Sequence, residues 1–83
     1  MKTFVVIEKA STMRFVGSLL GSIEYCKATL SGEPMLPLKI ARARPGTIKA
    51  QVIIEFMNGV VRPLREDQSY CVELKQLKKN GKE

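Results

Sequence analysis

The chain has 83 residues, 45% hydrophobic and 27% charged, with a formal net charge of +6 and a pI near 9.6. Those values describe one folded domain near the lower limit of what buries its own core, and exclude a disordered composition. Histidine is absent, which removes the usual general base and the commonest metal ligand, and with them Ser–His, Cys–His and zinc-finger chemistry.

The longest uninterrupted apolar run, Phe4 to Ile7, is far too short to span a bilayer or to form the core of a signal peptide. Cys26 and Cys71 form no CxxC pair and read as reduced thiols. A cytoplasmic protein without membrane contact is therefore expected.

In chain order, residues 3–9 are β-branched and aromatic with both faces apolar, the pattern of a central strand covered on both sides. Residues 11–30 then suit a helix, with Val16, Leu19, Leu20, Ile23, Cys26 and Leu30 recurring at steps of three and four. Ser11 or Thr12 would cap its start, Gly32 would end it in the left-handed region, and Pro34 would prevent continuation. The competing reading is two short strands, 13–20 and 22–30, joined near Gly21. On the helical reading Gly17, Gly21 and Ala28 form a small-residue groove, open to the protein's own sheet or to a helix seam between two copies.

Leu36, Leu38 and Ile40 alternate, as do Ile48, Ala50, Val52, Ile54 and Phe56, predicting two half-buried strands around Arg44-Pro45-Gly46. A three-residue loop pairing residue 43 with residue 47 sets Leu38 against Val52 and Ile40 against Ala50, apolar against apolar. Asn58-Gly59 predicts a two-residue type I′ hairpin that pairs Met57 with Val60, Phe56 with Val61 and Glu55 with Arg62. Pro63, with no N–H to donate, makes the strand over 60–64 an edge or ends it there. Residues 69–77 fit a strand or a helix, with a strand to Leu74 preferred. The expected fold is α+β, one helix on a mainly antiparallel sheet in the order β-α-β-β-β-(β or α). Residues 1–77 would form the domain and residues 78–83 a frayed basic tail.

No acidic spacing matches a metal or acid–base motif, and the glycines form no phosphate loop. No enzyme activity, metal or cofactor is expected. The basic charge is concentrated: residues 36–54 hold Lys39, Arg42, Arg44 and Lys49 and no acid, and residues 75–82 hold Lys75, Lys78, Lys79 and Lys82 and no acid. The remaining segments hold six basic and eight acidic residues, so the whole excess lies in one hairpin and one tail. Arg42 continues the face of Leu38 and Ile40 beyond the core, while Lys39 and Lys49 are expected on the opposite face. Arginine presents a planar fork of donors suited to phosphate, and phosphate contacts supply most sequence-independent affinity.

The expected site is therefore Lys39, Arg42, Arg44 and Lys49 with Lys75, Lys78 and Lys79. Its partner would be nucleic acid, RNA ahead of DNA, bound through the backbone because the aromatics form no stacking platform. The alternative expectation is a small regulator or inhibitor that binds a larger, nucleic-acid-acting enzyme. A homodimer is expected because the core is small and one edge strand is exposed.

Overall fold

The computed structural model describes residues 2–8, 12–44 and 46–74, so the basic segment from residue 75 onward lies outside the described residues. The architecture is α+β: one helix packs on a six-stranded antiparallel sheet. The elements are β1 (Thr3–Glu8), β2 (Thr12–Gly17), α1 (Leu19–Gly32), β3 (Leu38–Ala43), β4 (Lys49–Met57), β5 (Val60–Pro63) and β6 (Tyr70–Glu73). The sheet runs β2-β1-β3-β4-β5, and β6 shares the outer side of β4 with β5. Residues 54–57 of β4 pair with β5, and residues 49–52 pair with β6.

β1 is the interior strand its sequence predicts. Phe4 and Val6 pack under the helix with Cys26, Leu38 and Ile40. Val5 and Ile7 face the other way, into a second cluster with Ala41, Ala50 and Val52. A sheet with both faces buried needs apolar residues at consecutive positions, which the run Phe4–Ile7 supplies.

The expected helix over 11–30 is corrected at its start. Residues 12–17 are strand β2, paired with β1, and the cap is Ser18, whose Oγ accepts from the Gly21 N–H at 3.0 Å. Leu19 and Leu20, counted in the apolar stripe, are exposed; the buried face is Ser22 and Cys26 with Ile23, Tyr25 and Leu30 beside them. Ser22 satisfies its buried hydroxyl by donating to the Ser18 carbonyl at 2.8 Å. Gly32 is the last helical residue and is not left-handed; the helix closes with the Glu33 N–H on the Thr29 carbonyl at 3.0 Å.

The glycine groove does not exist. Gly17 lies in β2 and Gly21 in the first turn of α1, and both face the Phe15 ring, where an added Cβ would stand 3.0 Å and 3.1 Å from ring carbons. They are small because Phe15 occupies the space, stacked on Tyr25 with centroids 5.3 Å apart. The helix seam between copies loses its basis; the exposed strand β5 remains at an edge of the sheet.

The β3–β4 register also differs from expectation. Leu38 pairs with Phe56 and Ile40 with Ile54, but Ala41 pairs with Val52 and Ala43 with Ala50. Ile53 is thus an extra residue, a β-bulge, and it packs with Ile54 on the helix side. The loop is longer than three residues, closed by the Arg44 N–H on the Lys49 carbonyl at 3.1 Å. The alternation 50-52-54-56 therefore does not line one face. Ala50 and Val52 fill the second cluster, while Ile54 and Phe56 pack under the helix. A bulge at Arg14 does the same for β2, sending Phe15 to the helix side and Met13 to the other.

The Asn58-Gly59 hairpin forms as its dipeptide dictates, with φ of 53° and 78° and the predicted pairs in register. β5 ends at Pro63, as expected. Of the ambiguous segment 69–77, Tyr70–Glu73 is strand and residues 75–77 lie outside the described residues.

Candidate functional site

The bulge at Ile53 decides which cations stand together. Directly paired residues on antiparallel strands project from the same side, and side chains alternate along each strand. Leu38 and Ile40 face the helix, so Arg42, two residues on, projects from the same side of the sheet. Arg42 pairs with Gln51, and one pleat further the loop closes Arg44 against Lys49. Lys49 therefore shares the side of Arg42 and Arg44, a correction to its expected place on the opposite face.

Arg42 is half-buried and held in position. Its Nη2 donates to the Gln51 side-chain oxygen at 3.3 Å. The Gln51 amide donates to Ser69 Oγ at 2.6 Å, and Ser69 donates to the Glu66 carbonyl at 3.1 Å. This chain anchors the guanidinium to β4 and the turn before β6, leaving its other N–H groups for a ligand. Arg44 and Lys49 are exposed. Among the described residues, no carboxylate lies within 4.0 Å of Arg42, Arg44 or Lys49; the ion pairs are Arg14–Glu8 and Arg65–Asp67.

Sequence reading missed two members of this corner. Thr3 pairs with Ala43, so Lys2 and Arg44 are the residues just beyond the paired ends of β1 and β3, distant in sequence and brought to one end of the sheet only once β1 pairs with β3. Gln51, unremarkable as a polar strand residue, positions Arg42. The corner also receives Glu73, paired with Lys49. Four cations thus stand against one carboxylate. The amino end of α1 begins at the same end of the sheet, since Gly17 and Arg42 both pair with Phe4.

Lys39 is not part of the corner. It lies on the other face in a cross-strand row with Glu55 and Arg62, where charges alternate. Its Nζ stands 5.9 Å from the centroid of Tyr70, whose hydroxyl donates to Glu55 Oε2 at 2.5 Å. Burial, helped by this Glu55 hydrogen bond, pushes the Tyr70 phenol up to about 12, so it stays neutral. Lys75, Lys78 and Lys79 lie outside the described residues.

Other chemistry is sparse. Cys26 is buried and its thiol is pushed up to about 11 by desolvation, while Cys71 is exposed on β6. Among the described residues no cluster of acidic or thiol ligands stands ready for a metal ion. No helix among the described residues is long and apolar enough to cross a membrane. An apolar groove of about 510 Å³ opens between the carboxyl half of α1 and β4–β5, lined by Ile23, Leu30, Pro34, Ile54, Phe56 and Val61. Compared with protein-family models, curated proteins and solved structures, the chain matches none of them.

Proposed function

We propose that the protein is a small non-catalytic accessory factor of the cytosol that binds nucleic acid through its phosphate backbone. One observation carries the reading: Arg42, Arg44 and Lys49 project from one side of a rigid sheet corner, with no carboxylate within 4.0 Å among the described residues. Glu73, paired with Lys49, offsets only part of this charge, and the excess of cations can exchange counterions for phosphates. The guanidinium of Arg42, oriented by Gln51, loses little freedom on binding. Lys75, Lys78 and Lys79 extend the basic charge in sequence.

The test is the salt dependence of binding to a mixed-sequence RNA. Affinity should fall as a power of salt concentration, each phosphate contact adding roughly 0.7–0.9 to the log–log slope. Replacing both Arg44 and Lys49 by alanine should flatten that slope, and absence of salt-sensitive binding by the wild type rejects the reading.

A second reading, a regulator or inhibitor that docks on a larger enzyme, draws on the apolar groove beside Val61. Its occupant would be an apolar side chain of that enzyme, and Val61→Asp, rather than loss of Arg44, would abolish the complex.

A further inference from the structure

The aromatic residues of this chain form a closed inventory. There are three phenylalanines, two tyrosines and no tryptophan, and all five lie among the described residues. Phe4 is 9% exposed and sits beneath the cationic corner as core. Phe15 and Tyr25 stack on each other, and Phe56 packs against the helix-side cluster. Tyr70, 38% exposed, is on the opposite face, committed to Glu55 and Lys39. No ring is left beside Arg42, Arg44 and Lys49 on which a base could stack.

That matters because proteins hold single strands largely by stacking unpaired bases on aromatic side chains, at about 1–3 kcal/mol per base. RNA loops and bulges are gripped in the same way. A duplex keeps its bases stacked internally and presents phosphates at twice the axial density of one strand.

The cations have the matching form. Arg44, just past β3, is hydrogen-bonded through its backbone to Lys49 at the start of β4, and Lys2 immediately precedes β1, the strand beside β3, where backbones run roughly 4.8 Å apart. Arg42 stands one pleat behind, roughly 7 Å along β3. The backbone positions of these residues are set by hydrogen-bonded strands, and the Arg42 guanidinium is held by Gln51. A flexible single strand would pay ordering entropy to meet them, whereas a stiff backbone already holds its phosphates in place.

Resting on the nucleic-acid reading above, we infer that the ligand of this corner is the phosphate backbone of a duplex, RNA or DNA, not the bases of a single strand. Recognition is then by shape and charge, with little preference among sequences.

The experiment titrates the full chain, at low ionic strength, against labelled duplex RNA, duplex DNA and their component single strands, matched in length. Fluorescence anisotropy reads binding. Both duplexes are compared, and the tighter one assigns the source of the backbone. The expected result is duplex binding roughly tenfold or more above either single strand, because the duplex offers twice the axial phosphate density at less ordering cost and the single strand has no stacking to offset this. Arg44→Ala and Lys49→Ala, both at exposed positions, should each lower the duplex salt slope by about 0.9. Single strands bound as tightly as duplexes would overturn the duplex inference while leaving the nucleic-acid reading standing. No salt-sensitive binding to any of the four would overturn both. So would binding to polyglutamate with none to the duplexes, which would assign the corner to an acidic protein.

Discussion

The backbone N–H of Arg44 donates to the carbonyl of Lys49 at 3.1 Å, continuing the Arg42–Gln51 pairing by one pleat, so that alternation puts both side chains on the side of the sheet that carries Arg42. Lys39, three residues before Arg42 in the same strand, is turned to the other face and sits in a row with Glu55 and Arg62. The two lysines should therefore behave differently. Lys49→Ala is expected to reduce the salt slope of nucleic-acid binding by about 0.9, and Lys39→Ala to leave it within error of the wild type. Equal losses in the two variants would contradict the partition of the basic residues between faces.

Gly59 has φ of 78°, a conformation that side chains resist, although the nearest atoms to an added Cβ, Pro34 O at 3.8 Å and Met35 Sδ at 3.9 Å, are at ordinary contact. Strain alone should then decide Gly59→Val. A loss of about 1–3 kcal/mol is expected, read from the urea midpoint.

Gly32 makes the opposite case. It ends the helix with ordinary backbone angles, and nothing lies within 4 Å of the Cβ that alanine would add. Gly32→Ala should raise stability by about 0.4–1 kcal/mol, by removing unfolded-state freedom. A destabilised variant would mean that this position needs glycine after all.

Gly17 is held small by the ring of Phe15, whose Cε2 and Cζ would stand 3.0 Å from a new Cβ. The ring cannot swing away freely, because Tyr25 stacks on it and Gly21 approaches it from the helix. Gly17→Ala should cost about 1–3 kcal/mol, the usual range for overpacking. Adding Phe15→Leu should recover part of that loss relative to Phe15→Leu alone, which a double-mutant cycle in urea would measure.

Alkaline pH should loosen the fold in two stages. Burial raises the Cys26 thiol from an ordinary 9.0 to about 11, and burial with the Glu55 hydrogen bond raises the Tyr70 phenol from 10.0 to about 12. In each case the folded chain holds a proton that the unfolded chain releases, so stability falls as pH rises between the two values. The contribution is complete below the unfolded value and lost through the folded one. Urea midpoints should decline from pH 9 toward pH 12. Tyr70→Phe should remove the upper part of that decline and Cys26→Ala the lower.

Taken by itself, the sequence determined what depends on one or two residues and their own backbone preferences. Asn58-Gly59 dictates its turn because both residues accept positive φ, and the turn then sets the register of the Glu55–Arg62 pair. The run Phe4–Ile7 reads as a strand buried on both faces because it is short, continuously apolar and rich in β-branched and aromatic residues. The alternation from Ala50 to Phe56 was equally visible, yet its meaning depended on a residue with no local mark. Ile53 is one of two consecutive isoleucines, and nothing in its type announces a bulge. Only the sheet, with one cluster to fill under the helix and another on its far side, decides that Val52 and Ile54 part company there. The same holds for the candidate site. Arg42 and Arg44 were legible as a basic hairpin end, but the side taken by Lys49 follows from the bulge. Lys2 joins them through pairing between strands some forty residues apart in the chain, and that is tertiary structure.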